Sequence, residues 1–83
     1  MAGTVHTEAY KAVLCALIEA RSSAGLSQAA LANALGKPPS FVGKYELGER
    51  RLDVVEMMVV LKALNLSFDQ FWAAADIELP PHL

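Results

Sequence analysis

Residues 26–52 carry signals for two short helices separated by a glycine turn, and this arrangement constrains the fold more than any other feature of the chain. Ser27 is a favourable N-cap for the first of these helices. Gly36 supplies the positive φ that ends a helix at no steric cost. The second helix is expected to begin at Pro39 or at the next residue, because proline suits the first helical position, and to end near Gly48.

Apolar residues on both sides of the turn recur at helical intervals, so they are expected to face a common core. Ala32 lies where the two helices should cross, and a larger side chain there would push them apart. Two short helices joined by a tight glycine-containing turn are typical of the helix-turn-helix unit, whose second helix is shaped to enter the major groove of DNA. The residues predicted to face the core are Leu31, Leu35, Val42 and Tyr45.

Capping signals and helical periodicity along the whole chain predict five helices and no strands. The first helix is expected over about 7–23, and the fourth and fifth begin at Asp53 and Ser67, each with a capping box. Because residues 54–61 are apolar on almost every side, we expect the fourth helix to lie at the centre of the domain. The predicted fold class is therefore all-α and compact, with the helix-turn-helix at helices 2 and 3.

The length and composition are those of one small domain with a single core. We expect one domain over 1–83, with a core over about 7–75 and a C-terminal tail over 76–83. Hydrophobic residues make up 54% of the chain and the mean hydropathy is +0.33, so part of the apolar surface is expected to contact a partner. The apolar runs are too short to span a membrane, and the first residues do not resemble a secretory signal, which favours the cytoplasm.

The sequence contains few of the residue patterns that support catalysis. Its single cysteine, Cys15, cannot form an internal disulfide, and we expect it to be buried or half-buried in the first helix. His6 and His82 lie near opposite termini and share no ligand spacing with it. No glycine-rich phosphate loop is present. We therefore expect no enzyme activity, no metal, no cofactor and no small-molecule ligand.

The run KPPSFVGKYELGERRLD, at residues 37–53, resembles the Cro/cI-type helix-turn-helix family, the phage-repressor-like DNA-binding domains of bacteria and their viruses. The resemblance extends over roughly 7–72, and it implies a five-helix, lambda-repressor-like DNA-binding domain. Such relatives tend to carry Gln at the position of Pro39, where it usually reads a base, and Ser at the position of Gly43. This chain therefore departs from the usual base contacts of the family.

The resemblance also implies roles outside the second helix of the pair. Family members commonly hold a DNA phosphate at the start of the first helix of the pair, which assigns Ser27 and Gln28 to phosphate binding. Ser27 also has a purely structural interpretation as an N-cap, and the two roles are compatible. Arg21 and Glu46 match a family pair that ties the first helix of the domain to the third.

The charge balance is the main argument against DNA binding. The net charge is −2 and the pI is about 5.5, whereas nucleic-acid binders usually have a basic footprint. The distribution is uneven, however: residues 37–51 hold four basic and two acidic residues, a net +2, and the rest holds three basic and seven acidic residues, a net −4. This local excess predicts phosphate contacts by Lys37, Arg50 and Arg51.

Helical geometry places five residues of the third helix, Leu47 among them, roughly on the side opposite its core residues. Lys44 can donate to guanine O6 and N7, while Ser40 reads bases less selectively. Pro39 and Gly43 have no side-chain group that could identify a base by hydrogen bonding. They would let the backbone approach the DNA closely or contact a thymine methyl. The predicted base-reading residues are Pro39, Ser40, Gly43 and Lys44.

The aromatic residues of the fifth helix exceed what one terminal helix needs to dock on its own core. We therefore expect a homodimer interface centred near Phe71, Trp72 and Ile77. A two-fold dimer would place two recognition helices about 34 Å apart, which fits an inverted-repeat operator in double-stranded DNA.

Together these patterns predict a small bacterial or phage transcriptional regulator that binds specific DNA sequences and acts by occupying a promoter. The alternative is an antitoxin-like or assembly module whose helix-turn-helix fold mainly serves protein–protein contact. Pro39, Gly43 and the acidic balance favour this alternative, and the clustered Lys and Arg residues oppose it.

Overall fold

The computed structural model describes residues 7–83, so His6 lies outside the described residues. Five helices follow one another with short connections, and no strand occurs among the described residues, which confirms the predicted all-α fold. None of these helices is both long enough and apolar enough to cross a bilayer. The helices are α1 (Glu8–Ser23), α2 (Gln28–Ala34), α3 (Ser40–Glu46), α4 (Val54–Ala63) and α5 (Phe68–Ala75).

Side-chain caps determine where four of these helices begin. Asp53 and Ser67 form complete capping boxes, in which the cap side chain and the side chain three residues later each accept the other's backbone N–H. The hydroxyl oxygens of Thr7 and Ser27 cap α1 and α2. α3 begins directly after Pro39 without a side-chain cap. These starts confirm the predicted ones.

The turn between α2 and α3 depends on Gly36, which has φ +72°. The Gly36 N–H donates to the carbonyl of Asn33 at 3.1 Å, and the Lys37 N–H donates to the carbonyl of Ala32 at 2.9 Å. This pair of bonds is a Schellman motif, which satisfies the last carbonyls of α2 and turns the chain toward α3.

A single core joins all five helices. Leu17 of α1, Leu31 of α2 and Tyr45 of α3 are fully buried, and Leu61 of α4 is 1% exposed. α2 and α3 pack directly against each other, and Ala32 is fully buried in α2. α3 is therefore held by a packed scaffold and not by its own seven residues alone.

Phe71 belongs to this core, which corrects its assignment to a dimer surface. Its side chain is only 3% exposed, so it is not available to a partner. The physical reason is that α5 packs against α1 and α4 and uses Phe71 as its buried apolar residue. Trp72 and Ile77 are half-buried and keep some surface for a contact.

The expectation that α4 is central is wrong. Within this helix only Val60 and Leu61 are buried. Five short helices enclose only one core, and α4 closes one side of it, so its far face meets solvent. The exposed apolar residues of that face are Val54, Val55, Met58 and Val59.

Cys15 is exposed, contrary to the expectation that it would be buried or half-buried. Leu14 and Leu17 point into the core. Because successive helical residues are about 100° apart, Cys15 projects away from the side that these two leucines share.

Candidate nucleic-acid interface

α3 turns one side to the core and the other to solvent. Phe41, Val42 and Tyr45 are buried on the first side. Leu47, just after the helix, shares the solvent side and is 72% exposed; it is an apolar side chain of the kind that contacts a thymine methyl. The four predicted base-reading residues also lie on the solvent side, where all but the half-buried glycine are exposed: Pro39, Ser40, Gly43 and Lys44.

Gln28, the first residue of α2, reaches across to α3. Its Nε2 donates to Glu46 Oε1 at 2.8 Å. A Cβ at the position of Gly43 would lie 3.4 Å from the Gln28 Oε1, so the glycine leaves room for this side chain to lie over the helix. No local pattern predicts this contact, because Gln28 and Glu46 are 18 positions apart.

The same glutamate ties α3 to α1. Arg21 Nε donates to Glu46 Oε2 at 2.7 Å, and Arg21 Nη2 donates to Glu46 Oε1 at 3.2 Å. Arg21 Nη1 donates to the carbonyl of Leu26 at 2.9 Å. The two side chains are 14% and 5% exposed, so water screens the pair little. The hydrogen bond to Glu46 raises the pKa of Arg21 above its ordinary value.

Arg50 forms an ion pair with Glu56 of α4. Its Nη1 and Nη2 donate to the two carboxylate oxygens of Glu56 at 3.0 and 2.7 Å, and its guanidinium lies 4.9 Å from the centre of the Phe41 ring. Arg50 Nη1 also donates to the carbonyl of Arg51 at 3.1 Å. This bidentate pair braces the turn after α3 and leaves Arg50 fewer free donors for a phosphate than its sequence position suggested.

Three basic side chains around α3 keep their charge uncompensated. Within the described chain, no carboxylate forms an ion pair with Lys37, Lys44 or Arg51. The Lys37 ammonium lies 5.4 Å from the Phe41 ring centre, and the Arg51 guanidinium lies 4.6 Å from the Tyr10 ring centre. Cation–π contact orients these groups while their N–H donors stay free. The ion pairs between residues 7 and 83 are Lys11–Glu8, Arg21–Glu46 and Arg50–Glu56.

A groove of about 800 Å³ between α1 and α5 is a poorer candidate for a functional site. Ala12, Ala16 and Ala74 line it together with Cys15, and Glu19 is the charged residue on its wall. No group of three or more His, Cys, Asp or Glu residues that could hold a metal ion occurs in the described part of the chain. The exposed side of α3 is therefore the better candidate.

A family model described as helix-turn-helix matches residues 17–71, which is more than half of the chain. The matched segment includes α2, α3 and both members of the Arg21–Glu46 pair. The chain belongs to the Cro/cI-type helix-turn-helix family. No match was found among curated proteins. Members of this family are DNA-binding regulators in general, so the exposed side of α3 is the surface to consider for DNA.

In this helix-turn-helix domain the hydroxyl of Tyr45 is buried without a hydrogen-bond partner among the described residues. Burial raises the pKa of Tyr45 to about 12. An unpaired buried hydroxyl costs about 1–3 kcal/mol, so we expect Tyr45→Phe to leave the free energy of unfolding unchanged or to raise it by about 1 kcal/mol. Urea unfolding measures the difference.

Tyr10→Phe is the matched control for that substitution. The Tyr10 hydroxyl accepts the backbone N–H of Leu52 at 3.1 Å, so its removal leaves a donor without its partner and lowers the free energy of unfolding. A loss in Tyr45→Phe as large as that in Tyr10→Phe would contradict the unpaired state of the Tyr45 hydroxyl.

The Arg50–Glu56 brace predicts an acid dependence of stability. Hydrogen bonds from Arg50, and then from the Asp53 backbone N–H, lower the pKa of Glu56 from 4.5 to about 2. A carboxyl whose pKa is lower in the folded state stabilises that state above pH 4.5, and this contribution is lost as the pH falls toward 2. We expect the wild type to lose more stability than Glu56→Gln between pH 4.5 and 2 in urea unfolding.

Glu56→Gln is a suitable reference because its amide oxygen can still accept the Asp53 N–H that Glu56 accepts in the capping box. The helix start is therefore kept while the titrating group is removed. Parallel pH profiles for the two proteins would show that Glu56 has no lowered pKa in the folded state.

Proposed function

We propose that the protein is a sequence-specific, double-stranded DNA-binding regulator that acts by occupying a promoter as a homodimer on an inverted repeat. Membership of the helix-turn-helix family supports DNA binding in general. The proposal of sequence-specific binding rests on the arrangement of charge around α3.

The observation that carries this proposal is the separation of free and compensated charge. Glu46 turns inward to Arg21 and Glu56 turns to Arg50, so two acidic residues near α3 are already compensated. Lys44 is exposed on the groove-facing side without a carboxylate partner in the described chain. A local positive surface of this kind attracts phosphates even when the net charge is −2.

Base readout is assigned to the solvent side of α3. Lys44 supplies donors to a guanine edge, and Ser40 supplies a hydroxyl that both donates and accepts. Pro39 and Gly43 allow close approach, and Leu47 adds an apolar contact for a thymine methyl. The proposed readout therefore combines one strong polar contact with shape and methyl contacts.

Phosphate binding is assigned to the residues that flank this side. Lys37 and Arg51 supply free charge before and after α3, and Ser27 and Gln28 supply polar groups at the exposed start of α2. Arg50 is assigned mainly to the brace with Glu56. It remains a weaker phosphate contact than its neighbour Arg51.

The test of the proposal is selection of binding sites from a pool of random duplex DNA. A regulator of this kind enriches an inverted repeat whose half-sites lie about one helical turn apart. A pool that stays unenriched, with the protein folded and the salt concentration low, would refute sequence-specific binding. Enrichment of a single half-site without its repeat would refute the homodimeric mode.

The neighbouring arginines give a second check of the contact assignment. We expect Arg51→Ala to lower the slope of log affinity against log salt concentration by about 1, because one phosphate contact is lost. We expect a smaller change for Arg50→Ala, whose guanidinium is held by Glu56. Fluorescence anisotropy titrations at several salt concentrations measure both slopes, and a larger effect at Arg50 would reverse the assignment.

An assembly or antitoxin-like module is the second candidate function, and the exposed apolar face of α4 supports it. Contiguous exposed apolar residues are typical of protein–protein contacts. The selection experiment separates the two candidates, since a module of this class would not enrich a DNA sequence by itself.

A further inference from the structure

The carboxamide of Gln28 occupies the place of a side chain that α3 lacks. Its oxygen, carbon and nitrogen lie 3.4, 3.8 and 3.9 Å from the position that a Cβ on Gly43 would take. Gly43 lies in one row with Pro39 and Leu47, four residues from each, on the solvent side of α3. A residue of α2 therefore supplies the polar group in the middle of this row.

Hydrogen bonding fixes which way this carboxamide points. The Nε2 of Gln28 donates to Glu46 Oε1 at 2.8 Å. A carboxylate only accepts hydrogen bonds, so the nitrogen of the amide, and not its oxygen, must face Glu46. Arg21 holds the same carboxylate through its Nε and Nη2. The amide of an exposed residue is thus tied to an ion pair that is itself largely buried.

Two hydrogen-bonding groups of the Gln28 amide remain free for a ligand. Nε2 carries a second N–H, and Oε1 accepts no hydrogen bond within residues 7–83. A phosphate offers only acceptor oxygens, so it could use the N–H but would leave Oε1 unpaired. Among the base edges of the major groove, that of adenine presents an acceptor, N7, beside a donor, the N6 amino group. The two free groups of Gln28 match this edge.

We propose that Gln28 recognises an adenine in the major groove from across the gap at Gly43, with Nε2 donating to adenine N7 and Oε1 accepting from adenine N6. This inference rests on the proposed function and deepens it, because it adds a base-reading residue outside α3. It changes the role of Gln28 from a phosphate contact to a base contact. Gly43 then determines specificity through the absence of a side chain, which leaves room for the amide.

The polar readout is then shared between two helices. Ser40 and Lys44 contribute from α3, and Gln28 contributes from α2. Glu46 touches no base in this arrangement. It acts through Gln28, so it is a positioning residue. Because the amide is already held by Glu46, it needs little further ordering when it meets a base edge.

The first experiment compares base preference in the wild type and in Gln28→Ala. The site obtained by selection is synthesised with each base pair in turn at every position, and Kd is measured by fluorescence anisotropy. We expect Gln28→Ala to lose a preference for adenine at one position, by about 5- to 150-fold, and to keep the preference that Lys44 sets. Asn33→Ala is the matched control, because it removes an exposed amide from the other end of α2 and should keep every preference.

Gly43→Leu tests the gap itself. The leucine side chain takes the place of the carboxamide, and leucine favours a helix more than glycine does, so α3 should remain formed. We expect this variant to lose the same adenine preference although Gln28 is intact. Circular dichroism should show at least the helix content of the wild type. A Gly43→Leu protein that keeps the preference would overturn the proposal.

A change in the base separates a base contact from a phosphate contact. A deaza analogue of adenine that carries C–H in place of N7 keeps the base pair and every phosphate. At the affected position we expect it to weaken binding of the wild type by about 2- to 12-fold, the loss of one hydrogen bond, and to leave binding of Gln28→Ala unchanged. An analogue that weakens the two proteins equally would contradict a contact between Gln28 and N7.

The same measurements keep this inference distinct from the proposed function. If the wild type enriches a site but Gln28→Ala loses affinity equally for every sequence, Gln28 contacts only the DNA backbone. The inference then fails and the regulator function stands. If the wild type enriches no sequence, the proposed function fails, and base recognition by Gln28 fails with it.

Discussion

Replacing Lys44 by alanine is expected to weaken binding to the preferred DNA site by about 1–3 kcal/mol, roughly 5- to 150-fold in Kd. Lys44 is exposed on the solvent side of α3, and no carboxylate in the described chain compensates its charge. Among the proposed base-reading residues it carries the strongest hydrogen-bond donor group. The measurement is a titration of labelled duplexes carrying each base in turn at the affected position.

The pattern of losses separates base reading from simple attraction to DNA. A base contact is lost at one position only, so Lys44→Ala should relax the preference there and leave the others unchanged. Lys11→Ala removes the same charge from an exposed site on α1, where Lys11 lies 3.6 Å from Glu8, and should change the affinity little. Equal losses in the two variants, at every sequence, would contradict a base-reading role.

Replacing Glu46 by alanine is expected to lower the free energy of unfolding by about 2–3 kcal/mol, between the values for exposed and fully buried ion pairs. The substitution leaves the largely shielded guanidinium of Arg21 without its carboxylate and removes the acceptor of the Gln28 amide. In a domain of this size the loss corresponds to a fall in Tm of about 10–20 °C. Thermal unfolding followed by circular dichroism measures it.

Glu49→Ala is the matched control for this loss. Glu49 is exposed and forms no ion pair among residues 7–83, so its removal should change the free energy of unfolding by less than about 0.5 kcal/mol. The double variant Arg21→Ala, Glu46→Ala should be less destabilised than the sum of the two single variants, because the charges depend on each other. Strict additivity would mean that the pair contributes nothing as a pair.

The order and limits of the helices could be predicted because their signals are local. The cap at Ser27, the positive φ at Gly36 and the capping boxes at Asp53 and Ser67 each depend on a few neighbouring residues. The position of α4 could not be predicted in the same way. Its sequence is apolar on nearly every side, and such a sequence does not say which side the other helices cover.

The candidate site was predictable in part for the same reason. The solvent side of α3 follows from helical geometry, and it includes Ser40 and Lys44. The brace between Arg50 and Glu56 and the contact from Gln28 to Glu46 depend on side chains that meet only after the helices pack. A sequence position next to the recognition helix therefore did not distinguish Arg51, which is free, from Arg50, which is engaged.

The bonds that hold α3 from both sides also affect the entropy of association. Arg21 and Gln28 fix Glu46 at the end of the helix, and Arg50 lies over Phe41 near its start. The backbone of α3 is thus ordered before the proposed binding to DNA. The conformational freedom lost on binding would be mainly that of a few side chains, at about 0.5–1.5 kcal/mol each. An α3 held this rigidly would not change its own shape in the proposed complex with DNA. The duplex would have to deform instead, so base steps that bend easily would be favoured even where no side chain touches them.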